Sequence, residues 1–138
     1  MRLSAMLLAF ALAACSKSSD ATTSPTNPTT ASIAGVYTLR TINASSLPYV
    51  VSQPGQPKVE VVDDTYTIND NAAWTEAGHV RTTTNGTVLT TLITDSGTYF
   101  RSGSAVGLLS TASGVTNVVI SGDTLSYTSF RGAFVYSK

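Results

Sequence analysis

The sequence is poor in the side chains that usually carry chemistry. It has one cysteine, Cys15, and one histidine, His79, in 138 residues. A single thiol leaves no partner for a disulfide within the chain and no cysteine-rich zinc site. His79 stands between Gly78 and Val80, far in sequence from any candidate nucleophile, and reads as a rim or surface residue of a strand. There is no Gly-x-Ser-x-Gly elbow, no paired acids, no metal-ligand spacing and no phosphate loop leading into a helix. The expectation is a protein that is not an enzyme and uses neither cofactor nor metal. Charge is scarce as well: 12% of residues are charged and the formal net charge is zero. That balance argues against a nucleic-acid partner and against an electrostatic membrane patch. No apolar stripe at helical spacing lasts three turns, and the longest apolar run is too short to cross a bilayer, which takes about 20 residues.

What is present is a β pattern. Thr, Val, Tyr and Ile dominate from Ile33 onward, and these residues fit a pleated surface. Short alternating runs predict strands over Gly35 to Ile42, Tyr49 to Val51, Lys58 to Val62, Thr65 to Asn69, Trp74 to Thr83, Thr87 to Thr94, Gly97 to Arg101, Ala105 to Ser110, Val115 to Ile120, Thr124 to Ser129 and Ala133 to Ser137. The turns between them carry residues tolerant of positive φ: Asn85-Gly86, a type I′ dipeptide, then Ser102-Gly103, Ser113-Gly114, Ser121-Gly122 and Arg131-Gly132. Consecutive hairpins of this kind form an antiparallel up-and-down meander, and closing it into a barrel hides its edges. Closure brings the first and last strands together, with Tyr37 and Leu39 near Phe134 and Tyr136. Both faces of Ala105 to Ser110 are apolar, so its inner face is not assigned by pattern.

The carboxylates are read as structural. Asp63-Asp64 and Asn69-Asp70-Asn71 match no calcium loop and fall where turns end strands. Glu60 and Glu76 are expected to face water. Gly122-Asp123-Thr124-Leu125 is faintly similar to the Gly-Asp-Ser-Leu block of an esterase family, but it has Thr for Ser and stands near the C-terminus, and a hairpin turn explains it better.

At the start of the chain, Arg2 precedes an apolar stretch from Leu3 to Ala14 that ends in Leu12-Ala13-Ala14-Cys15. This resembles the lipobox of bacterial lipoproteins, and the resemblance implies cleavage before Cys15 and acylation of its thiol. Residues 1–14 are then a signal peptide. Several acyl chains, at about 0.8 kcal/mol per buried CH₂, give durable anchoring to a membrane. Ser16 after the cysteine, in place of Asp, resembles the Gram-negative pattern sent to the outer membrane, facing the periplasm. Residues 15–31 have no apolar side chain larger than alanine after the cysteine and read as a disordered tether, holding the domain roughly 20 Å from the lipid on average. Residues 32–138 suffice for one domain.

Within that domain, Gly35-Val36-Tyr37 followed by Leu39 resembles the Gly-x-Trp opening of lipocalin-like barrels. Leu47-Pro48-Tyr49 and the stretch from Thr65 to Asn71, followed by Trp74, are similar to small bacterial lipocalin-like lipoproteins. Tyr37 replaces the expected tryptophan, and no C-terminal helix follows the barrel. The resemblance implies a closed barrel of about eight strands that holds a small hydrophobic ligand or an acyl chain. Candidate lining residues are Tyr37, Leu39, Tyr66, Ile68, Trp74, Leu125, Tyr127, Phe134 and Tyr136. Arg131 is either the family's arginine packed across the opening aromatic or a solvated hairpin tip. The alternative function is a structural or protein-interaction module whose barrel is filled by its own side chains; the sequence names no partner protein.

Overall fold

A computed structural model describes residues 31–138. Cys15, the signal-peptide stretch and the tether up to residue 30 lie outside the described residues. The strands run in chain order as β1 (Gly35–Ile42), β2 (Ser45–Ser46), β3 (Tyr49–Val50), β4 (Lys58–Ile68), β5 (Ala73–Thr84), β6 (Thr87–Ser102), β7 (Ala105–Ser110), β8 (Gly114–Ser121), β9 (Thr124–Ser129) and β10 (Gly132–Ser137), with no helix among the described residues. From β4 to β10 each strand pairs antiparallel with the next. β1 closes the circuit, pairing with β10 on one side, where Leu39 faces Tyr136, and with β4 on the other, where Tyr37 faces Tyr66. The result is an eight-stranded, up-and-down, lipocalin-like barrel. The two-residue strands β2 and β3 extend the sheet where β1 and β4 diverge.

Two expected breaks are absent. Lys58 to Val62 and Thr65 to Asn69 belong to one strand, β4, and Thr87 to Thr94 and Gly97 to Arg101 belong to one strand, β6. In both cases the ladder with β5 bridges the polar residues that suggested a turn. Asp63-Asp64 is therefore not a strand end. It sits at a β-bulge, where the register between β4 and β5 shifts from Val61 to Asp63. An extra residue in one strand reverses which side chains face inward. Val61 is buried before the bulge, and Asp64, Tyr66 and Ile68 are buried after it. The Asn85-Gly86 turn does form, with φ of 50° and 80°, the two positive values of a type I′ hairpin.

The two ends of the barrel differ. At one end, around the start of β1 and the β8–β9 turn, the interior is solid: Tyr37, Val106, Val118, Ile120 and Leu125 are each at most 3% exposed. The β7 strand places Val106 and Leu108 inside, leaving Leu109 at 45% exposure outside. The Lys138 ammonium lies 5.0 Å above the Tyr37 ring, and the Tyr37 hydroxyl donates to the Ile33 carbonyl at 2.7 Å. At the other end the wall is incomplete. β6 is paired with β7 only from Gly97 onward, so from Thr87 to Asp95 its ladder runs on the β5 side alone. β8 meets β9 only over Val119–Ser121. The β5–β6 hairpin projects past this opening and carries exposed Val88, Leu89, Leu92 and Ile93.

Candidate functional site

The open end holds a cavity of about 640 Å³, within the size range of small-molecule sites. Its position follows from strand alternation. After the bulge β4 turns Asp64 and Tyr66 inward, β5 turns Trp74, Glu76, Gly78 and Val80 inward, and β9 and β10 supply Tyr127 and Phe134. Toward the projecting hairpin the wall becomes aliphatic, with Val59, Val61, Val80 and Ile93, and Phe130 and Arg131 stand at the rim on the β9–β10 turn. A second hollow of about 430 Å³ shares Glu76 and Asp95 but is otherwise lined by Thr, Ser and Ala, without an aromatic wall.

Of the nine residues expected to line a ligand site, Tyr66, Trp74, Tyr127 and Phe134 border the cavity. Tyr37, Leu39, Ile68, Leu125 and Tyr136 do not; they are packed in the core beside it. The aromatic rings form a connected set. Tyr66 contacts Trp74 with centroids 5.8 Å apart and meets Tyr136 edge-on at 5.2 Å, while Tyr127 stacks on Phe134 at 4.8 Å and 2°. Edge-to-face and offset contacts of this kind add to area burial and hold the rings in fixed orientations. The Trp74 indole is further fixed by donating to the Thr98 carbonyl at 2.9 Å.

Inside this aromatic wall are two carboxyl groups that hydrophobic patterning did not anticipate. Asp64 is 8% exposed. It accepts from the Tyr136 hydroxyl at 2.7 Å and from the Thr65 amide at 2.8 Å. Gly78 on the facing strand makes room for it, since a Cβ there would stand 2.8 Å from Asp64 Oδ1. Glu76, expected to face water, instead lies across the ladder from Tyr66, on the cavity wall with Asp64. Burial, followed by the charge of Asp64, pushes the Glu76 carboxyl up to about 8. Burial likewise raises Asp64, against the lowering effect of its bonds to Tyr136 and the Thr65 amide and of the neighbouring Glu76. Burial raises the hydroxyls of Tyr66, Tyr127 and Tyr136 too. Near pH 7 the pair therefore retains a proton. Asp95, opposite Glu76 on β6, behaves differently. Burial alone would raise it, but hydrogen bonds from Ser110, the Ser96 amide and Ser113 outweigh that and keep it ionised.

The remaining polar candidates are not part of this acid pair. Glu60 is buried rather than facing water, under ion pairs to Arg81 at 2.9 Å and Lys58 at 2.8 Å, which hold its carboxyl below the usual range. Asp63 turns away from Asp64 and meets His79 Nδ1 at 2.8 Å, both side chains about half exposed. No group of three or more His, Cys, Asp or Glu among the described residues could hold a metal ion. Gly122-Asp123 forms the turn between β8 and β9. Arg131 stands at a hairpin tip, 5.2 Å over Phe130, and the cation above the opening aromatic is Lys138.

The acid pair left two signals in the sequence. Strict alternation through Trp74, Glu76, Gly78 and Val80 puts Glu76 on the tryptophan's face, despite its charge. Val59 and Val61 are odd-numbered and Tyr66 and Ile68 even-numbered, so both pairs can face inward only if a bulge lies between them, and that bulge turns Asp64 inside. Compared with known proteins, the chain matches no protein-family model and no curated sequence.

Proposed function

We propose that this protein is a bacterial envelope lipoprotein, anchored through acylated Cys15 in the outer membrane and facing the periplasm, whose barrel binds a small hydrophobic ligand or an acyl chain without transforming it. The anchor rests on the Arg2 to Cys15 sequence. The binding role rests on one observation, the open-ended cavity of about 640 Å³ walled by Tyr66, Trp74, Tyr127 and Phe134. A barrel serving only as a structural unit has no use for an open, aromatic-walled space of this size, since filling it with side chains would bury more apolar surface.

Both parts are open to test. Labelled palmitate is expected to enter the wild-type protein and not Cys15→Ala, with the wild type fractionating with the outer membrane; incorporation into Cys15→Ala defeats the anchor. Native mass spectrometry after incubation with envelope lipid extract is expected to show an added mass. That mass should disappear in Val80→Trp, where the larger side chain occupies the cavity. No added mass on the wild type, or equal mass on both, defeats the binding role.

A further inference from the structure

We propose that the ligand is a cationic amphiphile, with an ammonium head seated against Asp64 and Glu76 and an apolar body running outward over Val59, Val80 and Ile93. This rests on the binding role above and specifies the ligand's charge and orientation. The cavity is chemically graded along its length. Its inner part combines carboxyl groups with the rings of Tyr66, Trp74 and Tyr127, and its outer part has an aliphatic wall of Val59, Val61, Val80 and Ile93 from β4 to β6, with Ser113, Thr116 and Ser129 on the remaining wall. A fatty-acid carboxylate or a phosphate head meets like charge inside, from Asp95 and from the Asp64–Glu76 pair, which keeps a negative charge even while it holds one proton, and Arg131 is the one basic residue among the described lining residues, out at the rim. A purely apolar ligand takes water from the carboxyl groups and supplies no charge in its place. An ammonium group satisfies both the carboxyl groups and the electron-rich ring faces, which attract cations most strongly when water is excluded.

The proton retained by the acid pair gives this arrangement a distinctive readout. Glu76 is faced by Asp64 and Tyr66 of β4, Asp95 of β6 and Tyr127 of β9, with Tyr136 of β10 bonded to Asp64, Asp63 close to Asp64 and Arg131 at the rim. All of these except Arg131 are acidic or neutral. A bound cation favours ionised Glu76, so binding releases its proton and tightens as pH rises toward about 8, levelling off above it.

The experiment is isothermal titration calorimetry of the full chain, with Trp74 emission recorded in parallel, using three probes below their micellar concentrations: decyltrimethylammonium, decanol and decanoate. The permanent charge of the first probe excludes titration of the ligand itself. The expected result is affinity for the cation at least about tenfold above that for either other probe, increasing about tenfold from pH 6 to pH 9 through the single linked proton. Glu76→Gln is expected to abolish that increase. Equal or tighter binding of decanol or decanoate, or a flat pH profile for the cation, overturns the cationic ligand and leaves the binding role standing. Failure of all three probes overturns this proposal, while an added mass from envelope lipid extract still upholds the binding role.

Discussion

The packed end and the open end of this barrel are built from the same strands and the same Thr-, Val- and Tyr-rich composition, yet they do different things with them. At the packed end every strand has a neighbour on both sides, and Tyr37, Val106 and Leu125 are at most 1% exposed. At the open end β6 runs unaccompanied on one side from Thr87 to Asp95, and the interior holds space, rings and carboxyl groups in place of aliphatic packing. The two regions also differ in how their polar groups are kept. The packed end buries almost none. The open end buries Asp64 with bonds from Tyr136 and the Thr65 amide, and it half-buries Glu76. Stability is concentrated at one end, and the groups that cost stability are gathered at the other, as is common where a site has to meet a ligand.

If that division is right, truncation at the packed end has the largest effect. Leu125→Ala is expected to destabilise the domain by about 2–5 kcal/mol in urea unfolding, because a fully buried leucine leaves a cavity that rigid neighbours cannot fill. A loss below about 1 kcal/mol would erase the contrast between the ends. Next comes the contact that joins the two regions. Tyr136→Phe removes the donor to Asp64 Oδ2 and is expected to cost about 1–3 kcal/mol, the penalty for a buried acceptor deprived of a partner.

The pH dependence sharpens the comparison further. The Glu76 carboxyl rises from an ordinary value of 4.5 to about 8 on folding, so the folded state holds its proton more tightly. Stability from this group is therefore complete below about pH 4.5 and is lost as pH rises through about 8. Asp64 acts in the same direction, whereas Asp95 and Glu60, whose carboxyls are lowered, act only in acid. Glu76→Gln is expected to flatten the urea midpoint across that range and to be more stable than wild type at pH 8, by on the order of 1–2 kcal/mol. A variant whose profile stays parallel to wild type would place the titration elsewhere. The smallest effect is expected on the projecting hairpin, where Leu89→Ser, at a side chain 64% exposed, should change stability by no more than about 0.5 kcal/mol.

Most of the barrel was legible because period-2 alternation and turn chemistry are local. The runs Gly35 to Ile42, Ala105 to Ser110 and Thr124 to Ser129 coincide with β1, β7 and β9, and Asn85-Gly86 makes the turn it predicts. What pattern reading lost were features set by partners distant in sequence. Asp63-Asp64 looked like a turn because nothing local shows that β5 pairs straight across it. Charge then worked against alternation at Glu76, and the rule that acids face water prevailed over the periodicity that placed it beside Trp74. Apolar patterning identified inward-facing residues such as Leu39 and Tyr66 equally well, but it does not separate those that fill space from those that border it. That separation depends on where β6 loses its second neighbour, which only the assembled sheet reveals.

The division between the ends is tested most directly by a ¹H–¹⁵N NMR titration of the protein with decyltrimethylammonium below its micellar concentration. The account predicts saturable shifts of the amides of Val61, Gly78, Ile93, Tyr127 and Phe130 around the open end, with Val106, Val118 and Ile120 at the packed end unmoved. Shifts scattered instead over the exposed apolar residues of the outer wall, Val36, Leu109 and Val119, or no saturable shifts at all, would contradict it.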